Sequence, residues 1–294
     1  MKEQTATPGQ KIENPLGTQP IGKLLVTFSV PAIISCLINS LYNIVDQIFI
    51  GQGVGYLGNA ATTVAFPLMT ILLAFGTLIG AGSSAHAAIR LGEKNEQEAR
   101  QALNNAFSFT IVLSIIIMVL GLIFLRPILT LFGATENIMP YAIDYTGIIL
   151  LGTPFNLVSI VLSNLARTDG HPRMSMYGML IGAALNTVLD PIYIFVFHWG
   201  VKGAAIATIT SQLISAVLLT VYFIRPAKTP LHMRLDRKLM RPNFPLIGHF
   251  LLLGISSGIT QSVACIMQVV MNKSLVYYGD LSPITGDVAL SAMG

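Results

Sequence analysis

Charge is the first thing this sequence lacks. Only 10% of its 294 residues are Asp, Glu, Lys or Arg, against 53% hydrophobic, whereas a water-soluble domain carries about 25% charged residues. That shortfall excludes an ordinary cytosolic enzyme and a disordered chain. The excess of 17 Lys and Arg over 13 Asp and Glu is too slight for a nucleic-acid footprint, so no nucleic-acid partner is expected. Cysteine is scarce too. Cys36 and Cys265 both lie in apolar runs, giving no disulfide framework and no argument for an oxidising compartment. The five histidines, His86, His171, His198, His232 and His249, lack metal-ligand spacing, and no Walker loop, H-E-x-x-H or G-x-S-x-G occurs. Direct drive by ATP is therefore unsupported, and neither enzymatic activity nor a bound cofactor is expected. Residues 1–22 are polar, carry no apolar signal-peptide core, and read as a cytoplasmic tail.

Long apolar runs are what the sequence has. A bilayer-spanning helix needs about 20 mostly apolar residues, and seven such stretches follow one another, near 24–50, 57–86, 103–125, 138–162, 174–197, 203–224 and 245–277. The expected fold is all-α and polytopic in the membrane, and the bilayer is the first partner. Alternate connections hold 14 Lys and Arg on one side and two on the other, with Lys273 inside the seventh span. Because cytoplasmic loops retain basic residues, the N-terminus is expected inside a cell (inner or plasma) membrane.

The connection 225–244, RPAKTPLHMRLDRKLMRPNF after Ile224, is Pro- and Arg-rich without apolar period. It reads as a basic cytoplasmic linker between a six-helix lobe, 23–224, and a second unit, 245–294. The pattern of the first span recurs in outline in the seventh, with Asn272 where Asp46 stood, as in transporters built from internal repeats. On this reading the chain holds one lobe plus the first helix of a truncated second lobe.

Among the acidic residues, Asp46 and Asp190 lie well inside apolar spans. A charge there costs about 2.5–3.5 kcal/mol even on the mildest scale, so such groups mark ion or substrate paths or pair with a neighbour. In the first span Asn39, Asn43 and Asp46 share a helical face. In the fifth, Gly178, Gly182, Asn186 and Asp190 recur every four residues, the glycines permitting close helix approach. Pro191 deprives the carbonyl of Thr187 of its helical partner. Together these groups form an all-oxygen set suited to Na⁺, and the same carboxylates can carry H⁺ instead. Thr208, Gln212 and Ser215 form a polar stripe on the sixth span. Pro31, Pro67 and Pro191 are candidate hinges, and Gln261, Gln268 and Asn272 candidate cavity-lining residues on the seventh span. Met174, Met176, Met179, Met267 and Met271 are either an adaptable lining or core filler.

Four segments together resemble the MATE (multidrug and toxic compound extrusion) family of secondary transporters: VPAIISCLINSLYNIVDQIFIGQ, AAIRLGEKNEQEARQAL, NLARTDGHPRMSM and ALNTVLDPIYIF. The resemblance runs over residues 20–294. It implies a twelve-helix, two-lobe antiporter that exports amphipathic, often cationic drugs by alternating access, driven by H⁺ or Na⁺. It places the coupling site at Asp46, Asn186, Asp190 and Thr208, with Asn43, Tyr145 and Asn164 as neighbours. A chain of this length would need the missing C-terminal lobe, or self-association, to transport. The alternatives are a lipid-linked oligosaccharide flippase of the same superfamily, a non-transporting remnant, and an intramembrane aspartyl protease. The last expects a Gly-Asp motif that neither IVDQ nor VLDP supplies.

Overall fold

The structure is a computed structural model describing residues 20–225, 231–233, 242–282 and 285–293. Most of the N-terminal tail and of the basic 225–244 segment lie outside the described residues. Among the described residues ten α-helices follow in order: α1 (Ile21–Val54), α2 (Tyr56–Gly92), α3 (Glu96–Ile123), α4 (Leu125–Leu131), α5 (Met139–Leu151), α6 (Thr153–Thr168), α7 (Pro172–Pro191), α8 (Val201–Ile224), α9 (Phe244–Asp280) and α10 (Gly286–Met293). A π-helical turn, Ile192–Val196, extends α7. No strand occurs among the described residues. Six of these helices are each long and apolar enough to cross a membrane, and α5 with α6 makes a bent seventh candidate.

The apolar stretch near 138–162 forms this bent span and not a single continuous helix. The chain breaks at Gly152, and α5 and α6 meet at 53°. Pro154, in the first turn of α6, has no N–H to continue the hydrogen-bond ladder from α5. Helices α1 and α2, by contrast, run on through Pro31 and Pro67. Between them Gly55 turns the chain at φ +87°, a conformation that costs glycine little. Helix α3 starts where Asn95 accepts the amide of Glu98 (3.2 Å), with Glu96 and Glu98 in its first turn. Both features favour a helix N-terminus.

Helix α2 is the most deeply buried and packs on α1, α3, α5, α6, α9 and α10. Its contact with α9 runs the length of both helices. At one end Gly82 and Gly254 bring the backbones so close that an added Cβ would lie 1.8 Å from Phe250 O and 1.9 Å from Leu78 O, respectively. Farther along, Cys265 Sγ donates to Pro67 O (3.4 Å), Thr70 Oγ1 to Gln268 Oε1 (2.8 Å), and Asn272 Nδ2 to Thr63 O (3.3 Å). On the opposite flank α1 packs on α7, and α7 on α8.

At the end of the bundle nearest the basic segment, buried Asp169 accepts Tyr222 Oη (2.7 Å) and the Leu231 amide (2.9 Å). The Met233 amide bonds Phe223 O (2.8 Å). Residues 231–233 are thereby pinned to the six-helix unit. Asp169→Ala strands two donors, at about 1–3 kcal/mol each; hydrogen exchange at the Leu231 and Met233 amides is expected to quicken about tenfold or more. His171, beside Asp169, is held above the ordinary histidine pKa of 6.5 by its hydrogen bond to that residue and by the carboxylate's charge. A raised folded-state pKa adds stability that is fully present below 6.5 and is lost as pH rises through the shifted value. His171→Gln should remove that pH dependence from the melting curve.

Candidate cation site and cavity

The fold brings the two intramembrane acids together. Asp46, on the last third of α1, and Asp190, at the end of α7, are both buried, close to one another where α1, α7 and α8 meet. Asn186, one turn before Asp190, donates Nδ2 to Asp190 Oδ1 (3.2 Å) and to Thr208 Oγ1 on α8 (3.3 Å). Four of the sequence-selected residues therefore form one cluster across three helices. It is poor in donors. Asp46 Oδ1, Asp190 Oδ2 and Asn186 Oδ1 are buried without any hydrogen-bond partner among the described residues.

Charges placed inside a membrane-crossing bundle are costly unless they are paired or line a path. The cluster's carboxylate, amide and hydroxyl oxygens are the ligand types that hard ions prefer. Among the described residues no group of three or more His, Cys, Asp or Glu is placed to hold a metal ion. A transition-metal centre built from such ligands is thus not in evidence there.

Asp46 faces a cavity of about 500 Å³, also lined by Asn43, Tyr145, Thr208 and Gln268. A smaller one of about 150 Å³ continues it toward Asn186 and Ser211. Both are bordered by Asn39, Tyr42, Asn156 and Met179. Tyr42 and Asn156 are absent from the sequence-based set. Tyr42 stands one turn before Asp46 on the same face, and Asn156 is a polar residue in a span, so the argument that singled out the acids could have found both. Of the five methionines selected from the sequence, only Met179 borders these cavities.

Some expected residues go elsewhere. Asn164 donates Nδ2 to Ile160 O (2.9 Å) in its own helix and packs against Gly80, so it is no member of the cluster. Asn272 spends its amide on the carbonyls of Thr63 and Phe132, both at 3.3 Å, and fastens α9 rather than lining the cavity. Gln261 is half-buried and borders neither cavity. Gln268 is the one of that trio that reaches the cavity. Ser215 ties α8 to α7 through Gly178 O (2.8 Å), while Gln212 lines the cavity with Oε1 unpartnered. Replacing Thr208 by valine removes one acceptor of Asn186 at nearly constant volume. A net ~0.5–1.5 kcal/mol for such a bond predicts a loss of cation affinity of about tenfold or less, read as the half-saturating cation concentration.

A bundle of membrane-crossing helices with a paired-carboxyl cluster opening on an internal cavity defines the membrane-transporter class. The MatE family model matches residues 31–192, more than half the chain, and the chain belongs to this family of MATE transporters. It is 31% identical over 264 residues to multidrug export protein MepA of Staphylococcus haemolyticus, a match covering 88% of this chain and 57% of that protein. To MepA of Staphylococcus aureus it is 28% identical, over 90% and 58% of the two chains. A solved structure of the MATE multidrug transporter DinF-BH, in complex with a ligand, superposes with a TM-score of 0.88 at 35% identity, covering 97% of this chain and 62% of that one. The chain thus spans somewhat under three fifths of the length of these curated relatives.

Proposed function

We propose that this chain forms the cation-coupling part of a secondary active antiporter that exports amphipathic or cationic organic compounds in exchange for H⁺ or Na⁺. The observation that carries the reading is that Asn186 bonds both Asp190 and Thr208, while Thr208 and Asp46 stand together at the wall of the 500 Å³ cavity. The cation, or proton, occupies the oxygen cluster of Asp46, Asn186, Asp190 and Thr208. The organic compound occupies the cavity between Tyr42, Asn156 and Gln268. Exchange requires each ligand to bind the inward- and outward-open states unequally. Asp46 supplies that link, since it belongs to the cluster and faces the cavity as well. Transport further requires a second lobe to close the cavity's far side, with residues 245–294 as its beginning and 225–244 as the linker. The 14-to-two distribution of basic residues favours an N-terminus in the cytoplasm.

Two other readings have less support. Neighbouring acids are also what an aspartyl protease needs, but the Gly-Asp motif is missing and the chain's family is one of transporters. A lipid-linked oligosaccharide flippase needs a cationic cavity, and no Lys or Arg lines this one among the described residues. The test is dye efflux from cells, at varied Na⁺ and pH, by this chain alone and by the chain joined to a second lobe. Cation-dependent efflux from the joined protein is the expected result; its absence there would return the choice to flippase or remnant.

A further inference from the structure

A second cavity lies on the other side of the bundle, away from the carboxyl pair. It holds about 340 Å³ and is lined by residues of α3, α6 and α8. Helix α6 is its floor, with α3 and α8 packed on either side. Apart from Thr220 the lining is apolar, and Thr220 returns its hydroxyl to Ala216 O (2.7 Å), so the groove offers no free polar group. Phe155, Leu213, Val217 and Val221 on its walls are exposed, and all three helices belong to membrane-crossing segments. The groove opens to lipid.

Its long axis follows α8. Val217, Val221 and Arg225 are spaced four apart and therefore lie along one side of the last turns of the helix. The Arg225 amide still donates to Val221 O (3.0 Å), so this exposed residue, whose own backbone is already extended, caps α8 one turn beyond the groove. From Leu213 to Arg225 the helix rises about 18 Å, close to the ~15 Å hydrocarbon depth of one leaflet. The other end of the groove lies at Pro154 and Phe155, the first turn after the 53° break that tilts α5 away from α6. An apolar trough about one leaflet deep, with an arginine one turn beyond its end, matches the shape and charge of a phospholipid.

We infer that the α3–α6–α8 groove is a binding site for one acyl chain of a phospholipid whose phosphate pairs with Arg225. Arg is suited to this task because its planar fork meets phosphate oxygens in pairs. The occupant stays on the side of α6 remote from Asp46 and Asp190, so it stabilises the bent span without competing for the transport cavity.

The test uses the whole chain in nanodiscs containing a phosphatidylglycerol with a photoactivatable group near the acyl terminus, and maps adducts by peptide mass spectrometry. Adducts are expected to concentrate at Phe155–Val158 and Leu213–Val217. Val217→Trp, which fills the groove, should abolish them while labelling at the exposed Leu37 of α1 persists; Ala216→Leu on the same wall serves if the tryptophan variant misfolds. Arg225→Gln should weaken groove labelling about fivefold, the equivalent of ~1 kcal/mol per basic residue at an anionic surface, and should leave labelling by a photoactivatable diacylglycerol unchanged. Even labelling around the bundle, insensitive to groove filling, would overturn the site. Equal labelling of wild type and Arg225→Gln would overturn the headgroup assignment, and displacement of the lipid by an ethidium-type dye would reassign the groove to a transported compound.

Discussion

Asp190→Asn is expected to abolish cation-driven efflux by the two-lobe protein and to leave membrane insertion intact. Asparagine keeps the shape and still accepts from Asn186, as Asp190 Oδ1 does at 3.2 Å, but it carries neither a titratable proton nor a full negative charge. Removing one member of a buried charged pair costs about 2–5 kcal/mol, so cation affinity should fall about 30-fold or more. Asp46→Asn should be as severe for coupling and should also change binding of the organic compound, because Asp46 faces the cavity. The measurement is the Na⁺ and pH dependence of dye efflux, with expression followed by immunoblot of the membrane fraction. If Asp190→Asn efflux remained cation-dependent, the pair would be a structural contact and the coupling site would lie elsewhere.

Gly254→Ala is expected to be the most damaging small substitution outside the cluster. The new methyl would stand 1.9 Å from Leu78 O. A backbone atom cannot rotate aside as a side chain can, so α2 and α9 must separate. Overpacking of this kind costs typically ~1–3 kcal/mol and sometimes more, which outweighs the ~1 kcal/mol by which alanine improves a helix interior over glycine. Gly82→Ala, facing Phe250 O at 1.8 Å, should behave alike. Gly248, on the same helix as Gly254 with nothing within 4 Å, supplies the control. In detergent the two seam variants should melt lower by on the order of 10 °C, and Gly248→Ala should melt unchanged or slightly higher. Equal effects at Gly254 and Gly248 would mean that the seam does not hold the helices together.

How much of this was legible beforehand depends on the kind of signal. Apolar runs of the length that spans a bilayer are dictated by the solvent, which is why all seven stretches reappear as helices or a bent pair. Asp46 and Asp190 were legible as costly groups in an apolar medium that need a partner or a path; the fold buries both, with Asp46 alone of the two at the cavity wall. The break at Gly152 was not anticipated, because hydropathy summed over 138–162 is blind to a lost backbone donor. Gly152 and Pro154 themselves were its local sign. The polar residues within spans show the opposite failing. Asn164 was given a functional place by the family resemblance and Asn272 by its polarity in an apolar run, yet an amide is as well satisfied by a carbonyl of its own or a neighbouring helix as by a ligand. Asn164 found Ile160 O, and Asn272 found Thr63 O and Phe132 O. Residues 135–137 and α10 carry another pairing that sequence distance hid. Asp287 accepts Thr135 Oγ1 (2.6 Å) and Asn137 Nδ2 (3.0 Å), so this acid is held by the loop before α5.

The central claim is that Asp46 and Asp190 act as one site that exchanges a proton or cation. Infrared difference spectroscopy of the purified chain, recorded as pH is raised and as Na⁺ is added, tests it most directly through the stretching band of a protonated carboxyl. The account predicts a carboxyl band in the wild-type chain that disappears on deprotonation or Na⁺ uptake and is missing from both Asp46→Asn and Asp190→Asn. A band that responds identically in wild type and both variants would contradict it.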